Sequence, residues 1–283
     1  MINKIIVILL IAVIISGCAS SRHSSAPAAP PAAIHRMSSS TADEVAIGEK
    51  INAQILDSFR PYTDPKVVEY INRIGQALAA QAERKEIPYR FTVLYNEKIY
   101  ATSAPGGFIY VTTGLINFLD NEAELAAVLG HEIGELQYSD PRLSKSRKAL
   151  EMLTRTGGPV LGAFGDIGAL AAIGLAMVNA MAESKDQTPE QRLLAADRRA
   201  LHYMVATEQD PQGLVDLLRK FLTANQQVMP YFNDYYQSRP ITMDRFQAIQ
   251  NEFARLPLAN RSFSTRREAY QDLTRGIRDM YHS

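Results

Sequence analysis

One stretch constrains this chain more than any other: Leu125-Ala126-Ala127-Val128-Leu129-Gly130-His131-Glu132-Ile133-Gly134-Glu135. Asn121-x-x-Glu124 predicts the start of a helix just before it, with Leu125, Val128, Leu129 and Leu136 among its apolar positions. Within that helix His131 and Glu135 stand four residues apart, so their side chains share one face with Cβ atoms about 6 Å apart. Glu132 sits beside the first of them. A zinc peptidase needs this arrangement: two ligands one turn apart and a carboxylate next to the first to act as general base. The usual form is His-Glu-x-x-His, and here Glu135 stands where the second His belongs. By itself the segment also suits a solvated acidic face made of Glu124, Glu132 and Glu135.

The N-terminus carries a second strong signal. Lys4 precedes an unbroken apolar run from Ile5 to Ile15, which ends at Ile15-Ser16-Gly17-Cys18. The run is too short to cross a bilayer as a helix, which takes about 20 residues. It fits the hydrophobic region of a secretory leader. Cys18 is the only cysteine among 283 residues, so no internal disulfide can form. The Ser-Gly-Cys end resembles a bacterial lipobox, in which the thiolate is alkylated by a diacylglyceryl group. We therefore expect residues 1–17 to be a signal peptide and Cys18 to be lipidated. Residues 18–40, rich in Ser, Ala and Pro, would form a flexible tether that includes the solvated His23 and His35. Ala19 after the Cys, rather than Asp, favours the outer membrane by resemblance to Gram-negative lipoproteins.

Thirty basic residues balance thirty acidic ones. Such a balance gives no support for nucleic-acid binding, which needs a basic face. From residue 41 onward no linker and no repeat divides the chain, and residues 41–283 read as one domain. Thr41-x-x-Glu44 predicts a capping box for a helix through Phe59, and Asp64-Pro65 predicts the start of another with Val67, Val68, Ile71, Ile74 and Leu78 on its buried face. Strands are expected over Tyr89–Tyr95 and Phe108–Thr112, the second after a Pro105-Gly106-Gly107 turn. Thr188-Pro189-Glu190-Gln191 predicts a helix to about Thr207, and Asp210-Pro211 opens another. Two more are expected near Thr242–Leu256 and Ser264–Met280. Residues 159–182, rich in Gly, Ala and Leu, read as a buried or cleft-covering segment rather than a membrane span. The cluster Tyr231, Phe232, Tyr235 and Tyr236 reads as a packed loop. His202 and His282 have no partner at metal spacing.

With these residues in view, the chain resembles metallopeptidase family forty-eight, in its lipoprotein branch. The resemblance rests on Ala104–Leu115 around the Pro-Gly-Gly turn, on Glu122–Glu132, and on Ala196-Asp197-Arg198 and Asp210-Pro211, and it runs from about Glu44 to Ile249. It implies a mainly helical α+β fold of gluzincin type with a small sheet at the cleft. Carried over residue by residue, it makes His131 the first zinc ligand and Glu132 the general base. Glu135 departs from the second ligand. The third ligand, a Glu four residues before Asp197, is Leu193 here, which has no lone pair to offer. Asp197 is implied as the residue that supports the site from behind. The family's His-Pro, followed by Arg, becomes Arg239-Pro240 followed by Arg245, and both arginines are implied at the cleft.

These departures leave an incomplete zinc site, and two readings follow. The first is a pseudopeptidase of the envelope, which binds unfolded or misassembled envelope proteins or extended peptides as a chaperone would. In it, zinc is weak or absent and Arg239 pairs with Glu132 or Glu135, while the Phe108–Thr112 strand accepts a peptide as an added strand. The second is an active zinc endopeptidase with an unorthodox ligand set of His131, Glu135 and Glu190. A purely structural lipoprotein that holds protein partners is a third. In each the protein is held by its lipid at the periplasmic face of the outer membrane.

Overall fold

The computed structural model describes residues 39–137, 188–226 and 240–282. The leader, Cys18, residues 159–182, the Tyr231–Tyr236 cluster and Arg239 lie outside the described residues.

Helix α1 runs Ser39–Ser58 and α2 Pro65–Ala79. Asp64 caps α2 through its side chain, which accepts from Lys66 N at 2.9 Å, and Pro65 occupies the first turn. Val67, Ile71, Ile74 and Leu78 form its buried stripe, as their spacing predicts. The capping expected at Thr41 is not what forms. The helix already includes Ser39, so Thr41 lies inside it, and Glu44 points into the protein instead.

Three strands follow among the described residues: β1 (Arg90–Leu94), β2 (Ala101–Ala104) and β3 (Phe108–Thr112). Their order is β1-β3-β2, with β1 parallel and β2 antiparallel to β3. The Pro105–Gly107 turn joins β2 to β3 as a short 3-10 segment in which Gly106 and Gly107 take φ of 75° and 90°. These are left-handed values that side chains with a Cβ avoid. Strand β3 is therefore central, with both edges paired. This overturns the expectation that Phe108–Thr112 receives an added peptide strand. The outer strands are β1 and β2, and the sequence pattern does not reveal β2 because its four residues, Ala-Thr-Ser-Ala, do not alternate.

Helix α3 (Thr113–Phe118) leads to α4 (Glu122–Leu136), capped by the Asn121 side chain accepting from Glu124 N at 3.0 Å. Every residue of α4 is buried. Beyond it come α5 (Pro189–Ala206), α6 (Gln212–Gln226), α7 (Met243–Phe253), α8 (Arg267–Leu273) and α9 (Arg275–His282). The Thr188 capping box forms in full: Thr188 Oγ1 accepts from Gln191 N, and the Gln191 side chain accepts from Thr188 N. The single helix expected over Ser264–Met280 is two, broken at Thr274. No helix among the described residues is long and apolar enough to cross a membrane.

The core packs α1, α2, the sheet and α4 around Ile51, Ile55, Ile71, Leu78, Phe91, Tyr110 and Leu129. Helix α4 crosses α5 at backbone contact. A Cβ on Gly134 would lie 2.8 Å from Ala196 O, and one on Gly130 would lie 3.1 Å from the Ala200 Cβ. Small residues at matching four-residue spacing, Gly130/Gly134 on one helix and Ala196/Ala200 on the other, let the two axes approach. That approach is what sets His131 against α5.

Candidate metal centre

His131, Glu132 and Glu135 are buried in the C-terminal half of α4, at 4%, 0% and 7% exposure. Glu124 is buried as well, accepting from Asp120 N at 2.9 Å and lying 3.5 Å from Lys220 Nζ. The solvated acidic face is thereby excluded. One donor atom from each of His131, Glu132 and Glu135 lies within 4.8 Å of the others. His131 Nε2 is 3.7 Å from Glu135 Oε1, beyond hydrogen-bond length, and has no hydrogen-bond partner among the described residues.

The other ring nitrogen is held firmly. Asp197 on α5 places Oδ1 2.7 Å from His131 Nδ1. Arg245 on α7 grips the same carboxylate twice, Nε to Oδ2 at 2.6 Å and Nη2 to Oδ1 at 2.9 Å, and donates from Nη1 to Pro240 O at 3.2 Å. This is the two-bond geometry that suits guanidinium to carboxylate. Burial pushes the Asp197 carboxyl up, but Arg245 and His131 outweigh it and hold it below the usual range. Asp197 is thus an acceptor and Nδ1–H the donor, which turns the Nε2 edge of the ring toward Glu135. Burial alone would depress the His131 imidazole, yet Asp197 and Glu135 push it up to about 9.

A catalytic zinc takes three protein donors and keeps one position open. Two donors at about 2.0–2.2 Å from one ion stand roughly 3.4 Å apart in a tetrahedron. The His131–Glu135 separation of 3.7 Å is close to that. A third donor from α5 does not follow. Leu193, one turn before Asp197, is buried at 2% exposure and carries no lone pair. Glu190 is exposed, and its Oε1 accepts from Thr242 Oγ1 at 3.1 Å. It is not part of the converging cluster. If Glu132 became the third ligand, the site would lose the carboxylate that must serve as base. Among the described residues, the donor set is one ligand short of a catalytic zinc site.

Residues 65–253 match the model of Peptidase family M48. The chain belongs to peptidase family M48. The M48 match spans α2 through α7 and so contains every residue of the cluster. Among relatives, the chain is 30% identical over 200 residues to a protein of Yersinia pestis named beta-barrel assembly-enhancing protease, covering 67% of this chain and 40% of that one. It is 27% identical over 197 residues to the protein of that name from Escherichia coli strain K12, covering 65% and 38%. A putative protein of the same name from Vibrio cholerae is 31% identical over 100 residues, 35% of this chain and 21% of that one. The chain thus spans about two fifths of the length of the first two M48 relatives.

Sequence reasoning missed the glycine–alanine contact that sets α4 against α5. The four-residue repeat of small side chains on both helices was its available signal. It also missed Glu44 and Arg84, considered below, because their partners lie far away in sequence.

Proposed function

We propose that this chain is a catalytically silent M48 module of the cell envelope, one that binds extended segments of envelope proteins without cutting them. The observation that carries this reading is Leu193, a buried apolar side chain at the position where the family resemblance calls for a carboxylate ligand. With it goes the lack, among the described residues, of a substitute donor that would leave Glu132 free as base, since Glu190 is exposed and engaged with Thr242. Zinc is then bound weakly or not at all, and Glu132 has no metal-bound water to activate.

Relatives 27–30% identical to this chain are named beta-barrel assembly-enhancing protease, and unfolded or misassembled outer-membrane β-barrel chains are the client class we assign. The lipobox-like Ile15–Cys18 supports an anchor that holds the module at the periplasmic face of the outer membrane, where such chains pass. With β3 paired on both sides, an added peptide strand would extend an outer strand, β1 or β2.

A second reading has its own observation. His131 Nε2, Glu135 and Glu132 converge, and Asp197 orients the imidazole as it would for a metal ligand. That favours an active zinc endopeptidase with an unorthodox ligand set. Incubation of the purified chain with unfolded β-barrel protein, followed by anisotropy and mass spectrometry, separates the two. Saturable binding with intact client supports the first reading. Cleavage lost in Glu132→Gln supports the second.

A further inference from the structure

The C-terminal end of α4, where Glu132 and Glu135 lie, needs fastening. The last carbonyls of a helix have no partners within it, and its dipole is negative there, which disfavours nearby carboxylates. Gln137 meets part of this need, donating from Nε2 to Ile133 O at 2.7 Å. The rest comes from Arg84, in the loop between α2 and β1. Its backbone N–H donates to Gln137 Oε1 at 2.9 Å, and its Nη1 donates to Leu136 O at 3.2 Å. A cation and two hydrogen bonds therefore sit at the terminus of the helix that carries the cluster.

Arg84 is itself held from the other side of the domain. Glu44 of α1, 5% exposed, accepts from Arg84 Nη2 at 2.6 Å and from Nη1 at 3.3 Å. The same carboxylate accepts from Gly106 N at 3.2 Å, in the turn between β2 and β3. Around this contact α1 lies on the turn at backbone distance. A Cβ on Gly48 would fall 1.9 Å from Pro105 O, and one on Gly106 would fall 2.7 Å from Val45 Cα. One carboxylate thus joins the first described helix, the turn of the sheet and the end of α4.

We propose that Glu44 and Arg84 are positioning residues of the cluster: together they set the end of α4 relative to the Pro105–Gly107 turn, and they couple α1 to both. The link is independent of whether the cleft cuts or only binds. It connects α1 to the end of the helix that carries Glu132 and Glu135. A pair that merely added stability would act on the whole fold. A positioning pair acts on two separate segments, 105–108 and 133–137, which touch through it.

Hydrogen exchange of the full chain by mass spectrometry distinguishes these. Glu44→Gln keeps an acceptor for Gly106 N–H but removes the charge that holds Arg84. It should speed exchange in both segments by about tenfold or more, with Ile71–Leu78 of α2 changed by less than about twofold. Arg84→Lys keeps the charge but lacks the fork that reaches Glu44 and Leu136 O together, and it should give the same pattern. The His131 side-chain resonance should also shift in both variants. Uniform acceleration across all segments, or acceleration confined to α1, would overturn the proposal. If Glu44→Gln does not fold, Arg84→Lys alone decides by the same criteria. Should that variant also not fold, the pair supports the whole fold and the proposal is overturned.

Discussion

His131 Nδ1 stands 2.7 Å from Asp197 Oδ1 across a close crossing of two helices, where Gly130 and Gly134 of α4 face Ala200 and Ala196 of α5. The contact depends on the glycines. A Cβ at Gly134 would meet Ala196 O at 2.8 Å and force a shift there, and one at Gly130 would crowd Ala200 at 3.1 Å, so either strains the placement of Asp197 and the Arg245 attached to it.

Gly134→Ala tests that dependence. Alanine favours helix over glycine by up to about 1 kcal/mol, but overpacking against a backbone carbonyl costs about 1–3 kcal/mol. The expected net is a loss of about 1–2 kcal/mol, seen as a lower urea midpoint. An unchanged or higher midpoint would mean that the helices do not meet at backbone distance.

Much of this architecture was legible in the sequence, because local rules agree with the fold there. Asp64-Pro65, Asn121-x-x-Glu124 and Thr188-x-x-Gln191 cap their helices with the hydrogen bonds their residue types predict. Thr41-x-x-Glu44 has the same pattern and fails. Glu44 finds a guanidinium and a distant backbone N–H, and these outweigh a local cap. Strand β2 was invisible since both its neighbour and its burial come from tertiary contacts. At the site, spacing placed His131, Glu132 and Glu135 on one helix. Nothing in the spacing revealed that Glu190 turns outward to Thr242, because the first turn of a helix can face either way.

Acid should weaken the fold partly through Glu122, the first residue of α4. Burial pushes its carboxyl up, but hydrogen bonds from Tyr70, Gln209 and Arg266 outweigh this and hold it below the usual range. A depressed folded value means the stabilisation is complete above the unfolded pKa, about 4.3, and is lost as pH falls through the folded value. Glu122→Gln should cost about 1–3 kcal/mol at pH 7, with the gap from wild type closing below about pH 4. Denaturant midpoints measured from pH 7 to pH 3 check this. A gap independent of pH would show that the charge is not what matters.

If the site lacks only its ligands, it can be rebuilt. Glu135→His with Leu193→Glu should supply two histidines and a carboxylate on the same two helices, with Asp197 already oriented toward His131. The double variant should bind about one zinc per chain, measured by calorimetry. A folded variant that binds zinc no better than wild type would mean that α4 and α5 are not spaced for a metal.

The anchor is tested separately. Wild type should fractionate with outer membranes and incorporate labelled fatty acid, and Cys18→Ser should abolish the label. A wild type recovered free in the periplasm would contradict lipidation.

The central claim is that Leu193 leaves this M48 site without a tightly held catalytic metal. Elemental analysis of the chain purified without chelator and dialysed against metal-free buffer tests it most directly. The account predicts well under one zinc per chain, with no further loss in His131→Ala. About one zinc per chain, removed by His131→Ala, would contradict it.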